Sequence, residues 1–354
     1  MNHTITLLPS GRSFQCEDGS SILAAGLAAG AGLPFSCRSG VCRTCRGRIV
    51  SGDIDPGQVH PAYLTPAEQA EGFVHLCQAR ASADCAIQID EIDTSRSFPA
   101  GQMPVRVLSM RQAAPDVMLL QLGMPANEPL RFHAGQYLDV LLAPGVRRSY
   151  SIANPPLPDG VRQLELHVRH MPGGLFTDSV FSTLQPRTML KVEAPQGRFA
   201  LDETSDLPMI LLASGTGFAP LKAIVEYSIA RGQRRPIHLY WGGRRKADLY
   251  LHALAEQWAA DHPHIRYTPV LSEATPECAW QGRDGYVHLA VLADYPDLSG
   301  HQVYACGAPP MVESARRDFL ARAGLPPEAF LADAFVSEAD KAGLLTTTPL
   351  KEYA

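Results

Sequence analysis

The feature that most constrains this chain is the spacing of its cysteines in Ser36–Gly47, Ser-Cys-Arg-Ser-Gly-Val-Cys-Arg-Thr-Cys-Arg-Gly. Cys37, Cys42 and Cys45 read C-x4-C-x2-C, with Cys77 downstream as a fourth thiol, the ligand spacing of a plant-type [2Fe-2S] cluster. Two irons need four converging thiolates. Three of them must come from one tight loop whose N–H groups turn inward, and Gly40 supplies the permissive backbone such a turn requires. Two other readings stay open: a structural zinc site of four cysteines, because Cys42-x2-Cys45 alone suits zinc, or disulfide pairing.

A chain of 354 residues is too long for one typical domain, and two or three are expected. Hydrophobic content of 45% and charged content of 19% are those of a soluble globular protein. A net charge of -5 and the lack of an extended basic stripe exclude a generally basic nucleic-acid binder. The N-terminus lacks a charged region followed by an apolar core, so no secretory signal is expected. The most apolar run, Ser21 to Phe35, is too short to span a bilayer. Cys16, Cys85, Cys278 and Cys306 are scattered like the reduced thiols of a cytoplasmic protein.

Three patterns follow one another. Thr4 to Leu8 and Ser13 to Cys16 read as a hairpin, Ser21 to Ala29 as a short helix and Arg46 to Val50 as a strand. Thr65-Pro66-Ala67-Glu68 is a capping box that opens another short helix, and Asp84 to Asp90 is a last strand. This predicts a β-grasp domain over residues 1–92, with 93–101 as linker. Over 102–204, strands separated by Pro/Gly turns (Val105 to Met110, Val117 to Leu122, Tyr137 to Leu142, Arg148 to Ile152, Leu164 to Arg169, Leu190 to Glu193) predict an antiparallel β-barrel. Over 205–335, strand and helix alternate from Met209 to Ala323, which predicts a Rossmann-like parallel sheet covered on both faces. The fold class is therefore multidomain α+β and α/β, and the polar tail 336–354 is expected to pack loosely.

The cysteine loop, with Phe73-Val-His-Leu-Cys77-Gln after it, resembles the N-terminal ferredoxin domain of NAD(P)H-dependent reductase components of bacterial multicomponent oxygenases, within the ferredoxin-NAD(P)H reductase family. That resemblance implies that Cys37, Cys42, Cys45 and Cys77 hold the cluster. Family members usually carry Gly after the second cysteine, where this chain has Arg43. Arg38, Arg43, Arg46 and Arg48 surround the loop, with no acidic residue between Asp18 and Asp53. They read either as a solvated basic loop or as a rim that docks and steers an acidic acceptor.

Arg148-Ser-Tyr150-Ser151 matches the family's R-x-Y-[ST] flavin signature, supported by Gly135-Gln-Tyr137 upstream and by His167-Val168-Arg169 and Gly173-Gly174-Leu-Phe-Thr177 downstream. By the resemblance, Arg148 pairs with a diphosphate oxygen, Tyr150 packs on the isoalloxazine and the Ser151 hydroxyl reaches flavin N5. The second stretch then supplies backbone contacts and a helix start whose N–H groups and Thr177 hydroxyl hold the pyrophosphate. FAD is implied in preference to FMN. Met209 to Pro220 runs from an apolar strand into Gly215-Thr216-Gly217 and a helix, like the family's G-G-x-G-[IF]-A-P motif with Ser214 in place of the first Gly. Cys306-Gly307-Ala-Pro-Pro-Met resembles the motif beside the nicotinamide, where Cys306 helps hold C4 near flavin N5 without acting as a nucleophile. Phe335 falls where relatives place an aromatic near the flavin, with a core role an open alternative. At the end of the second strand, Arg244, Arg245 and Lys246 stand where cofactor choice is made, and NADH or NADPH is possible.

The order of motifs implies an electron path from NAD(P)H through FAD and the [2Fe-2S] cluster to an outside acceptor. The expected partner is an oxygenase component, Rieske or di-iron, of an aromatic-ring dioxygenase or O-demethylase. The alternatives are a CDP-6-deoxyglucoseen-type reductase of deoxysugar synthesis and an electron-carrier module without NAD(P)H oxidation. No nucleic-acid or membrane partner is expected, and a mobile monomer suits a shuttle.

Overall fold

The computed structural model describes residues 2–92, 97–143 and 145–336. The chain divides into two compact units, the first ending at Ser97 and the second running Phe98–Phe335. The expected linker falls partly, and the expected tail almost wholly, outside the described residues.

In the first unit, β1 (Asn2–Leu8) and β2 (Ser13–Glu17) form the hairpin, followed by α1 (Ile22–Ala28), β3 (Arg46–Ser51) and β4 (Ile54–Asp55). Then come α2 (Pro66–Ala70), β5 (Phe73–His75), β6 (Arg80–Ala81) and β7 (Cys85–Gln88). A five-stranded sheet runs β2-β1-β7-β3-β5, with β1 and β7 parallel, and β4 pairs β6 separately. Alternation in β1 and β2 sends Ile5, Leu7, Phe14 and Cys16 into the core, where Ile22 and Leu23 of α1 cover them. Ser21 caps α1 by accepting Ala24 N–H at 3.2 Å. This is the β-grasp layout of a sheet over a helix.

The second unit begins with β8 (Gly101–Ala114), β9 (Val117–Gly123), β10 (Tyr137–Ala143), β11 (Val146–Ser151), β12 (Gln163–Arg169), α3 (Leu175–Ser182) and β13 (Met189–Gln196). The six strands pair antiparallel in the order β11-β10-β13-β8-β9-β12. An Ile152↔Leu166 bridge joins the two ends of the order, giving the barrel. The strand β8 is longer than the sequence suggests because it serves two partners. Residues 101–106 pair with β13 and 106–114 with β9, with a register shift between Val107 and Ser109.

Six parallel strands follow: β14 (Met209–Ser214), β15 (Ile237–Gly243), β16 (Ile265–Leu271), β17 (Arg283–Asp284), β18 (Gln302–Gly307) and β19 (Phe330–Ala334). The helices α4 (Phe218–Ala230), α5 (His252–Asp261), α6 (Val287–Asp294) and α7 (Pro309–Ala323) alternate with them. The order β17-β16-β15-β14-β18-β19 reverses direction between β14 and β18. Met209–Ala213 is buried throughout, as a strand covered on both faces must be. The edge strand β19 escapes the sequence reading because Ala-Asp-Ala has little strand propensity of its own, and pairing with β18 supplies its order. In a doubly wound sheet, ligands bind outside the carboxyl ends of the strands where the order reverses. That crevice lies here beyond Ser214 and Gly307.

Candidate functional site

In the cysteine loop the backbone turns toward sulfur. Ser39 N–H and Cys42 N–H donate to Cys37 Sγ at 3.3 and 3.4 Å, and Cys37 N–H to Cys42 Sγ at 3.5 Å. All four thiols are free, and they interact in two pairs, Cys37 with Cys42 and Cys45 with Cys77. Within the pairs, the hydrogen bond from Cys37 lowers the Cys42 thiol, and that from Cys45 lowers Cys77. Gly40 takes φ +78, and its carbonyl is bonded to buried His75 Nδ1 at 2.9 Å. Among the described residues no three His, Cys, Asp or Glu side chains close on a single ion. Four soft donors arranged as two pairs, with amides aimed at the sulfurs, suit two irons better than one tetrahedral zinc.

The basic rim is less free than its sequence implies. Arg43 adopts φ +63, and its guanidinium is ion-paired to Glu68, which also takes Arg46 at 3.1 Å. Arg46 lies over the Phe73 ring at 3.8 Å, Arg38 lies over Phe35 at 4.7 Å, and Arg48 donates to the Glu71 carbonyl at 3.0 Å.

In the second unit, β11 carries Tyr150 and Ser151, and β12 ends at Arg169, whose Nη1 would lie 2.8 Å from a Cβ on Gly215 in the turn after β14. Ser151 is 5% exposed, and its Oγ has no hydrogen-bond partner in the described structure. Tyr150 is partly buried and its ring lies against Phe176, with centroids 5.3 Å apart. Burial moves its hydroxyl above the usual range. At the crevice floor, a Cβ on Gly217 would lie 2.1 Å from the Cys306 carbonyl oxygen, and one on Gly307 2.2 Å from Ser214 Oγ. Ser214 is extended at φ -129, and its hydroxyl accepts Ala308 N–H at 3.0 Å. The serine that replaces a family glycine is thus compatible with the turn and ties its two sides together.

Three family models match this chain in order. A 2Fe-2S iron-sulfur cluster binding domain covers residues 5–82, an oxidoreductase FAD-binding domain 104–201 and an oxidoreductase NAD-binding domain 211–317. The CDP-6-deoxy-L-threo-D-glycero-4-hexulose-3-dehydrase reductase of Yersinia pseudotuberculosis is 37% identical over 336 residues, covering 95% of this chain and 99% of the relative. Reductase component 1 of terephthalate 1,2-dioxygenase from Comamonas sp. is 36% identical over 342 residues, covering 95% and 98%. The crystal structure of an Amycolatopsis cytochrome P450 reductase superposes with a TM-score of 0.75 at 35% identity, covering 95% of this chain and 99% of that one. The chain belongs to the ferredoxin-NAD(P)H reductase family. It is an NAD(P)H-dependent flavin iron-sulfur electron-transfer oxidoreductase with [2Fe-2S], FAD and NAD domains.

Several side chains that the resemblance singles out in this reductase are already engaged. The Thr177 hydroxyl ties the loop to the start of α3, with the Met171 and Gly174 carbonyls at 2.9 and 3.3 Å, and it accepts Met171 N–H at 3.2 Å. Gly173 N–H goes to Asp178 and Gly174 N–H to the Met171 carbonyl. What remains at this turn is the start of α3, which no side chain caps, so its first-turn N–H groups are open to an anion.

Arg169 ion-pairs with Asp116 at 2.7 Å and Asp248 at 2.8 Å, binding the barrel to the nicotinamide half. Val168 is wholly buried in the barrel core. The ring of His167 is enclosed: it donates from Nε2 to Glu165 at 2.7 Å and accepts at Nδ1 from the Tyr250 hydroxyl at 2.8 Å. Burial pulls its pKa down, which keeps it neutral. Burial pushes Glu165 up, but the His167 bond and the Lys222 charge outweigh it and hold the carboxyl near about 2. Lys222 itself donates to Glu226 at 2.8 Å and to the Ala153 carbonyl at 3.2 Å.

Arg244 and Arg245 are exposed, while their backbone N–H groups donate to Asp248 Oδ2 at 2.8 and 3.0 Å. Asp248 was missed in the sequence because it lies beyond the strand end and folds back. Cys306 is fully buried and burial raises its thiol well above the usual range, which suits a packing surface and not a nucleophile. Phe335 donates its N–H to the Gly307 carbonyl at 2.8 Å and packs against the nicotinamide-half core. Tyr250 and Lys222, which join the two halves of the second unit, carried no sequence signal beyond their residue types.

The orphaned Ser151 hydroxyl, the uncapped α3 and the Cβ-free floor at Gly217 and Gly307 fit a flavin and a nicotinamide nucleotide.

Proposed function

We propose that this reductase passes electrons from NAD(P)H to a partner oxygenase, as a monomer in the cytoplasm. The observation that carries the reading is one chain holding both a paired four-cysteine loop and a β14/β18 crevice floored by Gly217 and Gly307. The bound groups supply hydride acceptance at FAD and one-electron carriage at the cluster. The chain's own residues do the rest. Cys37, Cys42, Cys45 and Cys77 hold the irons, and Arg148 with the first turn of α3 receives the diphosphate. Tyr150 packs on the isoalloxazine, the backbone of His167–Arg169 lines it and Ser151 donates its free hydroxyl toward N5. Gly215–Gly217 let a pyrophosphate approach, and the buried Cys306 with Gly307 backs the place of the nicotinamide. Arg244 and Arg245, with side chains turned to solvent, receive a ribose 2′-phosphate when NADPH is the donor. Phe335 backs the crevice. No helix among the described residues is long and apolar enough to cross a membrane.

A second reading is favoured by the Yersinia relative: the acceptor is a sugar 3-dehydrase. The two are separated by reducing the protein anaerobically with NADH and mixing it in a stopped-flow instrument with a purified Rieske oxygenase component or with a pyridoxamine-phosphate dehydrase. The oxygenase reading expects saturable reduction of the Rieske centre. Transfer only to the dehydrase moves the chain to deoxysugar chemistry, and transfer to neither, nor to a di-iron oxygenase component, removes both.

A further inference from the structure

The turn that follows Cys42 carries a side chain where its backbone favours glycine. Arg43 sits at φ +63, its side chain is only 9% exposed, and its Nε is buried without a partner. Arg46, one residue past Cys45, is likewise drawn in: it lies over Phe73, and its Nε is also buried and unpartnered. Both guanidinium groups converge on Glu68 Oε1. The other oxygen, Oε2, is committed to the cap of α2, accepting Thr65 N–H at 2.9 Å and the Thr65 hydroxyl at 3.0 Å. A single carboxylate thus fixes the helix with one oxygen and two cations of the cysteine loop with the other.

We propose that Glu68 is a positioning residue for the [2Fe-2S] cluster. It holds Arg43 and Arg46 against the loop and offsets their positive field at the Cys42 and Cys45 sulfurs, thereby setting the one-electron potential. The inference rests on the four-cysteine assignment above. Reduction adds one negative charge to the cluster, so an uncompensated cation beside it favours the reduced form. In Glu68→Gln, an amide oxygen still accepts Thr65 N–H and keeps the cap, while its NH2 faces the arginines and the compensating charge is gone.

The test is an EPR-monitored redox titration of the full-length protein. Glu68→Gln is expected to raise the equilibrium constant for cluster reduction about tenfold, 59 mV for one electron. Arg43→Gly is expected to lower it, and the double variant to return near wild type. Thr65→Ala, which breaks the cap and spares the charges, is expected to lower stability without moving the potential. An unchanged potential in Glu68→Gln with an intact cluster overturns the proposal, as does an equal shift in Thr65→Ala. If Glu68→Gln fails to assemble a cluster, recovery in the Arg43→Gly/Glu68→Gln double variant supports it, and failure of both overturns it. Wild-type protein that binds no iron sinks the four-cysteine assignment itself, and the proposal with it.

Discussion

Gly217 packs so closely on Cys306 that an added Cβ would lie 2.1 Å from the Cys306 carbonyl oxygen and 2.7 Å from Gly307 N. Both neighbours are backbone at the end of β18, so neither can swing aside. Gly217→Ala should therefore push β14 and β18 apart, costing about 3 kcal/mol by overpacking. It should also raise KM for NADH at least tenfold. Urea unfolding followed by Trp fluorescence reads this directly, because all three tryptophans (Trp241, Trp258, Trp280) lie in the nicotinamide half. A variant as stable as wild type with normal KM would show that the crevice is not set by this contact.

The Ser151 hydroxyl is the opposite case, a buried polar atom that the described structure leaves unpartnered. A hydroxyl kept for a ligand contributes nothing to the fold without one. Ser151→Ala should leave the Tm of the flavin-free protein unchanged or slightly higher, while slowing flavin reduction by NADH about 10- to 100-fold, roughly 1.4–2.7 kcal/mol. Equal loss of stability and rate would make Ser151 an ordinary barrel residue.

Much of this arrangement was legible in the sequence because it is local. The spacing of Cys37, Cys42 and Cys45 and the run of Met209–Gly217 into a helix each fall within a dozen or so residues, where periodicity and turn chemistry act. What escaped depends on pairing at a distance. Arg43 read as a free cation because its partner Glu68 stands 25 residues away on another element. Asp248 was invisible because its bonds to Arg169 span 79 residues. The bonds of the Thr177 hydroxyl to the Met171 backbone likewise follow no sequence pattern.

The buried Lys222, 6% exposed, lies between two half-buried carboxylates, Glu226 at 2.8 Å and Glu165 at 3.4 Å. Lys222→Met leaves both anions without a cation and should cost about 3–5 kcal/mol at neutral pH. Burial already raises Glu226, with Lys222 opposing it, so losing the lysine raises it further. A carboxyl whose folded pKa lies above its unfolded value destabilises as pH rises through that range. The deficit of Lys222→Met relative to wild type should therefore shrink on acidification toward pH 5. A deficit independent of pH would mean that lost packing, not charge, is responsible.

His238 gives the nicotinamide half its own acid limit. It bonds the Tyr295 hydroxyl at 3.0 Å and the Thr268 hydroxyl at 2.9 Å inside the sheet, and burial pulls its pKa from 6.5 to about 4. Asp294 opposes that shift, while Arg266 and Arg283 add to it. Because the folded state holds the imidazole neutral, the contribution is fully present above pH 6.5. It is lost as pH falls from 6.5 toward 4, where the unfolded chain binds the proton first. The shift corresponds to about 3 kcal/mol. Glutamine at this position can keep both hydrogen bonds without titrating, so His238→Gln should flatten the stability profile between pH 6.5 and 4 by that amount when unfolding is followed by Trp fluorescence. Superimposable profiles for the two proteins would assign the acid sensitivity to other groups.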